Sequence, residues 1–302
     1  MTDPLILVNP ATGTFELTDL RSAQLPVTDL SAHRGDGIFE TVLVSVGAHG
    51  ATVVSRERHF TRFRASASAL DLPEPDQGLW DRVIDSLIAE AAAASRAPVP
   101  DDPENVEFGI RYALSRGEQG ADGQFRPRGW AFPVPVDDHI HTARKQGVTA
   151  VSLDRGFDAY IGSKAPWLLI GAKTLSYAVN QAAGRYAAAN NADEALFVSH
   201  DGIVLEGPTA NLIIRRGDRL LTPNPEAGLL SGTTQRLIFD HAEELGLQAE
   251  YADLRLEDVK EADGAWFVSS MRTAVALHEL DGNAISVDQN LTDRFQEIVR
   301  GR

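Results

Sequence analysis

Strand-like and helix-like stretches alternate along these 302 residues without a repeating strand–helix–strand rhythm. That irregular order argues against a doubly wound parallel sheet and for α+β lobes. Leu5–Val8 reads as a strand closed by the turn pair Asn9-Pro10. Residues 38–46 and 51–54 read as a hairpin, and 56–70 and 79–94 as helices. The proline-bearing stretch 95–104 is expected to be a loop, 106–115 a strand, and the glycine-rich 116–127 another loop. A boundary is expected near Pro135. It divides the chain into an N-terminal lobe, 1–135, a polar linker, 136–146, and a C-terminal lobe, 147–302. In the second lobe, strands are expected at 148–153, 194–199, 202–205, 211–215, 247–252, 265–268 and 274–280. Helices are expected at 174–189 and 234–245, with a charged one at 255–261.

Composition narrows the chemistry. The chain has no cysteine, which removes disulfides, thiolate metal sites and a thiol nucleophile. The eight histidines show no ligand spacing, so no metal is expected. Basic residues number 28 against 43 acidic ones, a net charge of −15, which argues against a general nucleic-acid partner. No apolar run is long enough to cross a membrane, and the first residues lack the pattern of a signal peptide. The expectation is a soluble, cytoplasmic protein.

Only four lysines are present, so amine chemistry has four candidates. Lys145 and Lys260 lie in charged surroundings, and Lys164 stands at a loop. Lys173 follows Trp167-Leu168-Leu169-Ile170-Gly171-Ala172 and precedes an expected helix. An amine in apolar surroundings loses protons readily and becomes a nucleophile or Schiff-base former; a lysine snorkelling from a helix start is the alternative. Glu206 ends a strand signal just before a turn. Gly232-Thr233-Thr234 opens a helix, where backbone N–H groups and hydroxyls suit an anion, although a plain helix cap has the same composition. A Schiff-base lysine, a lone carboxylate and a phosphate cradle together suggest pyridoxal 5'-phosphate.

The chain resembles the fold-type IV pyridoxal-phosphate enzymes, the class IV aminotransferase family. That family includes branched-chain and D-amino-acid aminotransferases and 4-amino-4-deoxychorismate lyase. The resemblance runs through His33–Thr41, His59–Phe63, Leu114–Gly117, Ala172–Tyr177, Asn191–Leu196, Leu205–Gly207 and Leu230–Thr234, in order along nearly the whole chain. It implies a two-lobed α+β fold and a homodimer. It implies that Lys173 bonds the cofactor aldehyde, that Glu206 meets the pyridine nitrogen, and that Arg62, Gly232, Thr233 and Thr234 hold the phosphate. Ser270 is the nearest hydroxyl to a further phosphate contact, since Met271 stands where the family often has threonine. Tyr177 lines the ring or is an ordinary core tyrosine.

The Arg-X-His carboxylate trap of D-amino-acid aminotransferases is missing after Arg116-Gly117, and the segment 165–180 is most similar to sequences of the lyase type. The resemblance therefore implies a 4-amino-4-deoxychorismate lyase. Its substrate is a small amino compound and its products are 4-aminobenzoate, a folate precursor, and pyruvate. An aminotransferase acting on D-amino acids, branched-chain amino acids or a primary amine is the alternative, and a non-catalytic pyridoxal-phosphate-binding protein stands third. Arg116 and Arg272 are candidates for substrate carboxylates, with structural ion pairs as their other reading.

Overall fold

The computed structural model describes residues 3–48, 50–93 and 106–301. The expected loop at 95–104 lies outside them. The chain divides into two compact units. The first runs to Val136 and also takes in Ala172–Tyr177. The second comprises Asp137–Gly171 and the chain from Ala178 onward. Among the described residues no helix is long and apolar enough to cross a membrane, and no cluster of acidic or histidine side chains could hold a metal.

The first unit is built on a six-stranded sheet. In chain order its elements are β1 (Pro4–Asn9), β2 (Thr14–Asp19), α1 (Leu30–Arg34), β3 (Gly37–Gly47), β4 (Gly50–Val53), α2 (Arg56–Ala69), α3 (Gln77–Ala93), β5 (Val106–Gln119) and β6 (Phe125–Pro135). The strand order is β2-β1-β6-β5-β3-β4, and every pairing is antiparallel. The first nine residues of β3 are buried, as expected of a strand inside a covered sheet. Phe63 of α2, Trp80 of α3 and Tyr112 of β5 meet with ring centroids 4.9–5.5 Å apart, which seats the helices on the sheet.

The glycine-rich stretch expected as a loop is instead the end of β5 and the hairpin into β6. A register shift between Ser115 and Glu118 takes in Gly117, and Gly120 and Gly123 lie in the turn, where the Gly123 N–H donates to the Gly120 carbonyl at 2.9 Å. Gly117 has φ 76°, and a Cβ there would lie 1.8 Å from the Arg126 carbonyl oxygen. Gly117→Ala is therefore expected to cost about 1–3 kcal/mol, read as a lower midpoint in a denaturant melt. An unchanged midpoint would show that the hairpin relaxes freely.

The second unit holds a mixed sheet of eight strands. Its elements are α4 (Asp138–Gln146), β7 (Val148–Asp154), α5 (Ala178–Ala189), β8 (Glu194–Val198), β9 (Asn211–Arg216), β10 (Arg219–Pro223), α6 (Thr233–Asp240), β11 (Gln248–Ala252), α7 (Leu256–Lys260), β12 (Gly264–Ser269), β13 (Thr273–Leu280), β14 (Asn283–Ala284) and α8 (Gln289–Arg300). The order is β11-β10-β9-β12-β13-β7-β8, with β14 on β13. Parallel pairs (β10–β11, β13–β7, β7–β8) mix with antiparallel ones, so the sheet is not doubly wound. Apolar clusters pack within this unit. One surrounds Leu212, Phe267 and Leu277, another Phe197, Leu205 and Leu229.

Several boundaries differ from expectation for local physical reasons. Residues 138–146, expected as a linker, form α4, started by the Asp137 carboxylate accepting from the Ile140 N–H at 2.9 Å. The helix expected from Thr174 starts at Ala178, because Lys173–Leu175 pair with the start of β3. The Gly202–Leu205 strand reduces to a single bridge, Val198 to Val204. The second-lobe assignment expected for Lys173 changes too, since Ala172–Tyr177 group with the first unit.

Candidate active site

The candidate residues fall in both units, and each group stands on its own scaffold. In the first unit the centre is the start of β3. The Phe39 N–H donates to the Lys173 carbonyl at 3.0 Å, and the Leu175 N–H to the Gly37 carbonyl at 2.8 Å. The Lys173 N–H donates to Ser66 Oγ on α2 at 3.1 Å. The lysine backbone is thus tied to a strand and a helix through bonds that do not involve its side chain. Its Nζ lies 4.7 Å from the centroid of the Phe39 ring, and the Tyr177 ring meets Phe39 edge-on at 5.4 Å.

One face of α2 carries His59, Arg62 and Ser66, spaced three and four apart. Glu40 of β3 is fully buried beneath that face. Arg62 donates to it through Nε at 2.7 Å and through a terminal nitrogen at 2.8 Å, a two-pronged fork. His59 Nδ1 stands 2.7 Å from the same carboxylate. Burial works to raise the Glu40 pKa, but the Arg62 charge and hydrogen bonds, with those of His59, outweigh it and hold the carboxyl well below the usual range. Burial also pulls the His59 pKa down. Glu40 opposes this, and the nearby Arg62 and Lys173 charges reinforce it.

Arg111 of β5 was not among the sequence candidates. Its guanidinium lies 5.5 Å from the Phe39 centroid and donates to Thr41 Oγ at 3.2 Å. Burial lowers its pKa, with Tyr177 acting the other way. Among the described residues it makes no ion pair. Lys173 and Arg111 thus approach the same aromatic ring. Arg116, by contrast, is used structurally. It pairs with Asp36 at 2.7 Å and donates to the carbonyls of Leu70 and Asp71, which ties the end of β5 to the chain after α2.

In the second unit Glu206 follows the Phe197–Leu205 backbone pairing and is fixed by two donors. Its Oε1 accepts from the Leu230 N–H at 3.1 Å and its Oε2 from Asn211 Nδ2 at 3.0 Å. The same Asn211 nitrogen donates to the Leu230 carbonyl at 2.8 Å. Asn211, also absent from the sequence candidates, links Glu206 to the turn ahead of α6. Gly232 caps that helix without a side-chain hydrogen bond. A Cβ on Gly232 would fall 2.2 Å from Asn211 Oδ1, so only glycine fits beside the clamp. Thr233 and Thr234 are buried in the first turn of the helix.

β12 pairs Val268 with Asn211, which places the Ser270 turn at the same end of the sheet. Arg272 goes elsewhere. It pairs with the buried Glu194 and donates to Thr209 Oγ at 3.1 Å.

These sets suit pyridoxal phosphate. The glycine-capped helix start offers backbone N–H groups and hydroxyls to a phosphate. Glu206 offers an oriented carboxylate to a protonated ring nitrogen, and Lys173 a primary amine beside an aromatic ring.

Comparison with known proteins gives the same picture. The family model for amino-transferase class IV matches residues 37–280. The bifunctional aminodeoxychorismate lyase / D-amino acid transaminase of Mycobacterium tuberculosis is 41% identical over 282 residues, covering 91% of this chain and 92% of that protein. A fold IV-transaminase from Curtobacterium pusillum superposes with a TM-score of 0.88 at 37% identity, over 99% of each chain. The PLP-bound form of a hypothetical aminotransferase from Mycobacterium tuberculosis gives 0.85 at 37%, over 98% of each. The α+β, fold-type IV expectation holds, and the chain belongs to the class IV aminotransferases, a family of pyridoxal-phosphate enzymes.

Proposed function

We propose that this enzyme is a 4-amino-4-deoxychorismate lyase that releases 4-aminobenzoate and pyruvate, with transamination of D-amino acids as its second activity. The observation that carries the reading is the setting of Lys173, whose backbone is tied to β3 and α2 while its amine rests against Phe39. The 41% identity to a bifunctional lyase and D-amino acid transaminase supports this choice of reactions.

When bound, pyridoxal phosphate supplies an aldehyde that takes up the substrate amine and a ring that accepts the electrons left on the amine-bearing carbon. Lys173 holds the cofactor at rest. Its Nζ, when free, would take the proton from the amine-bearing carbon. Glu206, presented by Asn211 and the Leu230 N–H, keeps a proton on the ring nitrogen. The N–H groups and hydroxyls of Gly232, Thr233 and Thr234 hold the phosphate, with Ser270 and Arg62 as further contacts. Tyr177 and Phe39 wall the space beside the amine. Arg111 is the guanidinium best placed to meet a substrate carboxylate, since Arg116 and Arg272 serve ion pairs.

We further propose a homodimer, as the family resemblance implies, and a cytoplasmic location, as the composition suggests. A product assay separates the reactions. Purified holoenzyme given aminodeoxychorismate alone should form equal amounts of 4-aminobenzoate and pyruvate. Turnover that starts only when a keto acid is added, in a ping-pong pattern, would replace the lyase by an aminotransferase.

A further inference from the structure

Arg155 follows β7, and its guanidinium lies over two rings, 4.6 Å from the centroid of Phe197 and 5.4 Å from that of Phe157. Among the described residues it makes no ion pair. Its own N–H donates to the Val198 carbonyl at 2.7 Å, which seats it beside the strand that leads to Glu206. That strand brings the two together through backbone bonds: the Phe197 N–H donates to the Glu206 carbonyl at 2.9 Å, and the Leu205 N–H to the Phe197 carbonyl at 2.9 Å. The ring under Arg155 therefore belongs to the residue paired with Glu206.

A half-buried guanidinium without an ion pair is costly, because the charge loses water and gains no contact of opposite sign. Burial lowers its pKa, and the opposing charge it senses is Glu206. Cation–π contact with two phenyl rings holds it in place without neutralising it.

We infer that Arg155 is a positioning residue that acts through Glu206: its charge keeps Glu206 ionised and weakly basic, so that a proton shared with the cofactor ring stays on the ring nitrogen. The inference rests on the proposed role of Glu206. The Leu230 and Asn211 donors orient the carboxylate and stabilise its charged form. Arg155 adds a cation that touches neither cofactor nor substrate. Removing it raises the proton affinity of Glu206, draws the proton off the ring, and weakens the ring as an electron acceptor.

The test compares wild-type holoenzyme with Arg155→Met, which keeps an apolar stem over the rings, and Arg155→Lys, which restores the charge. Nitrogen NMR of ring-labelled pyridoxal phosphate bound to each protein reads where the proton lies. Arg155→Met should shift the ring signal toward the unprotonated value, and kcat should fall about tenfold with KM little changed, the size of a one-unit change in proton affinity. Arg155→Lys should return most of both. An unchanged ring signal and kcat in Arg155→Met, whatever happens to its melting temperature, would make Arg155 structural only and overturn the inference. A wild type that binds no pyridoxal phosphate would instead overturn the cofactor role of Glu206, which is a different result.

Discussion

Lys173→Ala is expected to lower turnover by at least about a thousandfold, roughly 4 kcal/mol of transition-state stabilisation, and to abolish the visible absorbance of the holoenzyme. Two roles are lost together, the amine that holds the cofactor and the base that moves the substrate proton. The fold should survive, because the backbone at this position has hydrogen bonds of its own. The N–H meets Ser66 Oγ and the carbonyl receives the Phe39 N–H, and neither involves the amine. The substitution removes a cation over Phe39, worth about 0.5–1 kcal/mol at most such sites. A spectrum, a melt and a product assay on the same sample check the claim. A variant that keeps its absorbance band and more than about a tenth of wild-type rate would transfer the chemistry to another group. Lys164 would be the first to test, as it lies nine residues away along the chain.

Lys173, Glu206 and Gly232–Thr234 stand out as candidates in the sequence because each carries its signal locally. An amine among apolar neighbours, a carboxylate at a strand end, and glycine before threonines at a helix start can all be read without knowing the fold. Glu40 and His59 were visible only as letters within motifs. Glu40 stands in an apolar strand, and its partners come from α2, 19 and 22 residues further on. Asn211 and Arg155 matter through what they touch, and the 19 residues from Asn211 to Leu230 hide that contact. For Arg116 and Arg272, candidates for a substrate carboxylate or for an ion pair, the structure shows the ion pairs, with Asp36, 80 residues away, and Glu194, 78 away. The same limit governs the fold. The apolar runs of β3, β8 and β12 announce themselves, whereas β6 begins Phe125-Arg126-Pro127-Arg128-Gly129 and becomes a strand through its pairing with β5. The amphipathic α8 buries Leu291, Phe295 and Val299, a four-residue period with mostly polar positions between them.

Glu40→Gln is expected to destabilise the first unit by about 3–5 kcal/mol, the usual cost of removing one partner from a buried ion pair. The amide retains the shape of the side chain, but Arg62 then keeps its charge without the carboxylate it grips through two nitrogens. The pH dependence follows from the two depressed groups in the cluster. Glu40 is held below the usual carboxylate range in the folded protein, so its contribution is complete above the unfolded value near pH 4.3 and is lost only as the pH falls through its lowered folded value. His59 is also lowered, chiefly by burial, so the folded chain keeps it neutral while the unfolded chain takes up a proton below about pH 6.5. Protons thus favour the unfolded state, and the wild type should lose stability as the pH falls from 6.5 toward 5. His59→Gln removes that titration and should flatten this part of the profile relative to wild type, whatever the other groups contribute. Urea melts between pH 5 and 8 on the three proteins check both statements. A Glu40→Gln midpoint equivalent to less than about 1 kcal/mol of loss would mean that Arg62 finds another acceptor at little cost. Parallel wild-type and His59→Gln profiles would mean that His59 takes up its proton in the folded state, with Glu40 balancing the charge.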